Sequence, residues 1–117
     1  MNTKDTVHGY FNGLKQQRGW DSFLSEDMTF TSFTSPAKQV AGKRAYLEAT
    51  KRFYSTIASV ELRDLMVDGD KACALTRYQL RPPDGNAFTT DVAELFTVRN
   101  GKIDSFAIYF DSAPFPK

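Results

Sequence analysis

Along the first half of the chain, apolar residues recur with the spacing of a helix. Val7, Tyr10, Phe11 and Leu14 share one stripe within Asp5 to Gln17, which predicts an amphipathic helix. Thr3 or Asp5 is placed to cap its start, and Gly19 to stop it. Trp20 to Leu24 reads as a short second helix. Met28 to Phe33, rich in Thr and Phe, reads as a strand ended by Ser35-Pro36. After Gly42, a third helix over Lys43 to Ser55 is expected, with Ala45, Ala49, Phe53 and Ile57 on its inner side.

From Ser59 the period changes to two. Positions 60 and 62 are apolar, then 65 and 67, and this change of parity predicts a β-bulge near Arg63-Asp64. Asp68-Gly69-Asp70 forms a tight turn. Lys71 to Arg81 is the next strand, and Pro82-Pro83-Asp84-Gly85 a longer turn. Phe88 to Val98 alternates strictly. Asn100-Gly101 is a hairpin signal, and Lys102 to Asp111 is the last strand, with Pro114 and Pro116 ending regular structure. Helices come first and four strands follow as an antiparallel meander, which is the signature of an α+β fold. A long bulged sheet curls, so a cavity is expected between the first helix and its concave face.

The length of 117 residues corresponds to one domain, 1–117. Aromatic residues make up 14% of it, with ten Phe and five Tyr, so either the core or an apolar cavity is lined with rings. A small hydrophobic molecule is the expected partner. The formal net charge of +1 argues against nucleic-acid or membrane-surface binding, both of which need a strong positive field. Lys43, Arg44, Lys51 and Arg52 read as a solvated helix face. The single cysteine, Cys73, allows no intramolecular disulfide and reads as a small buried hydrophobe. With no apolar run of signal-peptide or membrane-spanning length, a cytoplasmic location is expected. His8 is the one histidine and reads as a surface or edge group. Without histidine or cysteine partners no metal site has ligand spacing, and neither a metal nor a cofactor is expected.

Glu94 is the sharpest candidate for chemistry. It shares a strand face with Phe88, Thr90, Val92, Phe96 and Val98, the more apolar of the two rows. A carboxylate there is costly unless it is protonated or partnered. It is therefore either a weak acid in a cavity or half of a structural bridge to Arg77. Tyr10 lies on the stripe of the first helix, with its hydroxyl at the cavity edge or paired with Glu94. Arg77 and Gln79 continue the row of Cys73 and Leu75 and are expected to orient a ligand. Trp20, Phe30, Ser32, Phe53, Phe96, Ile108 and Phe110 complete the expected lining. Strict alternation puts Asp111 on the other face; it reaches the cavity if the strand end twists, and otherwise caps the following loop.

Two stretches, TVHGYFNGL with GWDSFLSEDMTF and DVAELFTVRNGKIDSFAIYFD, resemble the SnoaL-like and ketosteroid-isomerase-like branch of the nuclear transport factor 2-like superfamily. The resemblance spans nearly the whole chain. It implies a cone-shaped, cystatin-like fold in which a curved, largely antiparallel sheet wraps around three N-terminal helices. It places Tyr10 at the oxyanion-donating tyrosine of ketosteroid isomerases and Glu94 at the buried acid beside it. The isomerase base falls at Ser32, which cannot move that proton alone. On the limonene epoxide hydrolase pattern, Arg77 matches the arginine, but the two catalytic acids fall at Gln79 and Ile108. Asp111 is the acid nearest the last-strand aspartate of SnoaL-type cyclases. Tyr10, Glu94 and Asp111 are thus the expected catalytic set, and an isomerase, cyclase or hydrolase needing no cofactor is the implied activity. A non-catalytic ligand-binding or dimerising domain of the same fold is the alternative. The resemblance also implies a homodimer through the outer sheet face, expected to carry Ala74, Thr76, Tyr78, Ala93, Leu95, Ala107 and Tyr109.

Overall fold

Helix α1 (Thr3–Gln16) buries Val7, Tyr10, Phe11 and Leu14 along the stripe its sequence predicts. The computed structural model describes residues 2–34 and 38–115; the expected stops at Ser35-Pro36 and Pro116 lie outside them. The cap of α1 is Asn2, not Thr3 or Asp5: its side chain accepts from the Asp5 N–H at 2.8 Å, satisfying one of the free first-turn donors. The helix ends on Gln17 in the left-handed region, with φ 60°, two residues before the expected stop.

A 3-10 turn, Trp20–Phe23, folds back onto α1. Gly13 allows that approach, because a Cβ there would lie 2.7 Å from the backbone nitrogen of Trp20. Strand β1 (Leu24–Ser32) begins four residues earlier than expected. Strand β2 (Lys38–Ala41) was not foreseen; it is too short to show a period. Helix α2 (Lys43–Ser55) has the expected bounds but turns a different face inward. Ala45 and Ala49 are exposed and Tyr46 is buried, with Leu47, Thr50 and Tyr54 half-buried. Burying an alanine methyl gains little, whereas a tyrosine ring contributes far more area once its hydroxyl finds a partner. Ile57, expected on this helix, belongs to the next strand.

That strand, β3 (Ile57–Asp68), pairs with β4 (Lys71–Leu80), which pairs with β5 (Phe88–Arg99), which pairs with β6 (Lys102–Phe110). This is the expected meander. The β3–β4 register slips between Leu62 and Asp64, where the parity change placed a bulge. Strand β1 joins β6 in parallel, giving a six-stranded sheet of order β2-β1-β6-β5-β4-β3. The two helices pack on one face of this curved sheet, and the core lies between them.

One strand is inverted relative to expectation. On β4, Ala72, Ala74, Thr76, Tyr78 and Leu80 point inward, whereas Cys73, Leu75, Arg77 and Gln79 point outward. The register requires this. Ala74 pairs with Glu94, directly opposed residues share a face, and Glu94 is buried. Arg77 and Gln79 therefore do not reach the cavity, and Cys73 is half-buried on the outer face. Ala74, Thr76 and Tyr78 leave the outer surface, while Leu75 joins Leu95 and Tyr109 there.

Candidate functional site

Between the helices and the sheet lies a cavity of about 130 Å³. Helix α1 contributes Tyr10; α2 contributes Tyr46, Thr50, Phe53 and Tyr54; β4 contributes Tyr78 and β5 Glu94; Phe30, Phe106, Ile108 and Phe110 add rings and an aliphatic wall. Phe115, from the segment after β6, also lines it. Phe53, Phe110 and Phe115 keep solvent exposure and mark the mouth.

The polar chemistry falls in two groups. Glu94, 1% exposed, accepts at Oε2 from the Thr76 hydroxyl at 2.6 Å and from the Tyr78 hydroxyl at 2.8 Å. Thr76 also lies 3.2 Å from the Val92 carbonyl, but its one proton favours the shorter, charge-assisted bond. Among the described residues, no hydrogen bond falls on Oε1 and no fully buried side-chain oxygen lacks a partner. Oε1 therefore keeps a trace of accessible surface, and Glu94 is part of the cavity lining. Burial raises the Glu94 carboxyl from 4.5 to about 7, with the Thr76 and Tyr78 hydroxyls pulling the other way. Near neutrality it is present both as acid and as carboxylate, the condition for moving a proton in either direction.

The second group is a chain of tyrosine hydroxyls. Tyr54 bonds Tyr10 at 2.7 Å and also bonds Tyr46. Three hydroxyls hold three protons, and two mutual bonds use two of them. Whatever the direction of the bonds, one proton is left for another acceptor. Burial holds all three phenols, and Tyr78, well above their ordinary range, with neighbouring phenols and Glu94 adding to the effect. They are neutral donors. Rings brace this chain: Trp20 stacks on Tyr54 at 3.9 Å, Tyr10 meets Phe106 edge-on at 5.9 Å, and Phe96 stacks behind Phe106 at 4.7 Å.

Of the expected site residues, Tyr10, Phe30, Phe53, Glu94, Ile108 and Phe110 line the cavity. Trp20 and Phe96 support it from behind. Ser32 lies on β1 two residues beyond Phe30 and is half-buried, outside the lining. Asp111 is exposed; its Oδ1 accepts from the Ala113 N–H at 3.1 Å, so it caps the following loop and does not complete the site. Arg77 does not bridge to Glu94 but pairs with Asp91 on the outer face, at 2.8 and 3.1 Å. The expected Tyr10–Glu94 pair is replaced by Tyr10–Tyr54 and Tyr78–Glu94. Tyr46, Tyr54, Thr76 and Tyr78 went unforeseen. The signal for the last two was present: Lys71, Arg77 and Gln79 occupy one row of β4, and three long polar side chains on one row mark the solvent face. No three metal-ligating side chains cluster among the described residues, and none of their helices is long and apolar enough to cross a membrane.

Residues 7–106 match the model of the SnoaL-like domain. Among curated proteins none matches. Solved structures share the fold at low identity. A candidate SnoaL-like polyketide cyclase from Jannaschia sp. CCS1 is 16% identical, with 98% of this chain and 93% of that one covered and a TM-score of 0.80. A candidate ketosteroid isomerase from Kribbella flavida is 18% identical, with 98% and 82% covered and a TM-score of 0.74. A de novo designed protein with a curved β-sheet is 21% identical, with 93% and 84% covered and a TM-score of 0.69. Likeness at this level shows the fold, and a fold does not by itself specify a reaction.

Proposed function

The chain belongs to the SnoaL-like domain family, and on that premise we propose a cofactor-independent acid–base enzyme of the isomerase or cyclase kind, acting on a small hydrophobic carbonyl compound. One observation carries the reading. Glu94 is buried in an aromatic cavity whose described lining holds no cation, is held through Oε2 by Thr76 and Tyr78, and is poised at about 7. As carboxylate it takes a proton from the carbon beside the carbonyl. The C–H pair forms a C=C bond, and the carbonyl π pair moves onto oxygen. The unused proton of the Tyr10–Tyr54–Tyr46 chain meets that developing charge. In a β,γ-unsaturated ketone the intermediate is a dienolate: Glu94 returns its proton to the γ carbon, the oxygen pair re-forms the carbonyl, and the substrate's C=C bond has moved from the β,γ to the α,β position. One carboxyl suffices for both transfers, so neither Ser32 nor Asp111 is needed.

Deuterium exchange into cyclohexenone, followed by NMR, tests this. The protein accelerates exchange, the rate rises through a midpoint near pH 7, and Glu94→Gln abolishes the acceleration. Equal exchange by Glu94→Gln would refute the role of Glu94. A second reading, a domain that binds such a molecule without reacting it, is favoured by the cavity holding a single carboxyl; it predicts saturable binding with no exchange.

The outer sheet face supports a further proposal, a homodimer. Leu75, Leu95 and Tyr109 are 39, 40 and 51% exposed on adjacent strands, an apolar surface of the kind that a second copy covers. Light scattering at micromolar concentration gives a dimer mass if this holds, and a monomer mass if it does not.

A further inference from the structure

We infer that the cavity takes a neutral, single-ring molecule bearing one oxygen, and rejects fused-ring skeletons and anionic conjugates. The inference deepens the proposed function and rests on this cavity being the ligand site. Its first ground is size. The cavity measures about 130 Å³. An apolar cavity of about 150 Å³ holds benzene, whereas drug-sized ligands, the class of a four-ring skeleton, occupy about 300–1,000 Å³.

The second ground is that the walls resist expansion. Helix α2 is tied to α1 through the Tyr54–Tyr10 bond at 2.7 Å, and Trp20 stacks on the far side of Tyr54. Swelling the cavity on that side breaks a hydroxyl bond and a ring stack together. The sheet side is floored by Phe106 on Phe96. At the mouth, Phe115 packs against Phe110 at 5.0 Å and Phe88 at 4.9 Å, so the outer size limit falls to Phe115.

The third ground is charge. Among the described residues the lining contains no Lys, Arg or His, and its one carboxyl is Glu94. A carboxylate or phosphate on the ligand would be desolvated beside a like charge with no cation to meet it. Free donors are few as well: the Thr50 and Thr90 hydroxyls of the lining give their protons to the Tyr46 and Asp111 carbonyls, which leaves the Glu94 carboxyl and the spare proton of the tyrosine chain to match one carbonyl or hydroxyl oxygen.

Calorimetric titration of the full chain with phenol, cyclohexenone, naphthol, a four-ring steroid enone and benzoate tests the inference. Phenol and cyclohexenone bind saturably. Naphthol binds at least about ten-fold more weakly than phenol, the order of an overpacking penalty, and the steroid and benzoate show no binding. Naphthol or the steroid binding as tightly as phenol overturns the size limit, and benzoate binding as tightly as phenol overturns the charge rule; either leaves the acid–base reading standing. No binding by any of the five overturns both. Phe115→Ala provides a second measurement: it raises naphthol affinity relative to phenol, and an unchanged ratio removes Phe115 as the limiting residue.

Discussion

Replacing Glu94 with glutamine should flatten the pH dependence of this protein's stability. The native carboxyl titrates near 7, against 4.5 for the ordinary side chain. Between those values the folded protein holds a proton that the unfolded chain has released. The corresponding stability is full below pH 4.5, declines through the window, and is gone above about 7. At about 1.4 kcal/mol per pH unit, a gap of 7 minus 4.5 amounts to about 3 kcal/mol, or roughly 10 °C in melting temperature for a domain of this length. Glutamine keeps an oxygen to accept from Thr76 and Tyr78 but does not titrate. The variant should match the parent near pH 5 and exceed it by up to about 3 kcal/mol at pH 8. The Asp91 carboxyl, held below 3.8 by its hydrogen bond from Arg77, titrates outside the window and does not mask the effect. Urea denaturation followed by circular dichroism at pH 5, 6, 7 and 8 measures it. Parent stability that stays level or rises over that range refutes the argument, as does a decline that persists in the variant.

Tyr54→Phe removes the central hydroxyl of the chain and leaves those of Tyr10 and Tyr46 without it; a loss of about 1–3 kcal/mol is expected in urea denaturation, together with weaker phenol binding in calorimetry. Arg77→Ala breaks an ion pair that is 43% and 58% exposed, so stability should change by less than about 1 kcal/mol and phenol affinity not at all; a lost site would return Arg77 to the cavity. Gly13→Ala drives a methyl against the Trp20 backbone and should lower the melting temperature by the equivalent of about 1–3 kcal/mol, measured by calorimetry.

Much of this architecture was written in periodicity. The stripe of α1, the strict alternation of β5 and the parity change in β3 each carried one unambiguous face, and each face is where the pattern put it. The burial of Glu94 follows from the β5 row alone. The partners of Glu94 were harder, because β4 offers two rows that both hold apolar residues and only pairing with β5 decides between them. The α2 face was misassigned because alanines score as apolar yet contribute little on burial, while tyrosines score as polar yet fill the interior when their hydroxyls bond one another. Such mutual satisfaction joins residues 44 positions apart, a relation that no local period records. The inward twist allowed for Asp111 likewise depended on the strand end, where alternation stops constraining a side chain.

The stack of Trp20 on Tyr54 has a practical use. Trp20 is the chain's single tryptophan, and its indole lies 3.9 Å from a ring whose hydroxyl joins Tyr10 to Tyr46. Light emitted by the indole therefore originates one ring away from the cavity, with no second indole to dilute it when the tyrosines are left unexcited. A guest that takes up the spare tyrosine proton changes the hydrogen bonding of the hydroxyl chain beside the indole, and the indole emission should change in intensity and colour with it. The protein thus carries its own optical gauge of occupancy, and large collections of unlabelled compounds can be screened against it in solution.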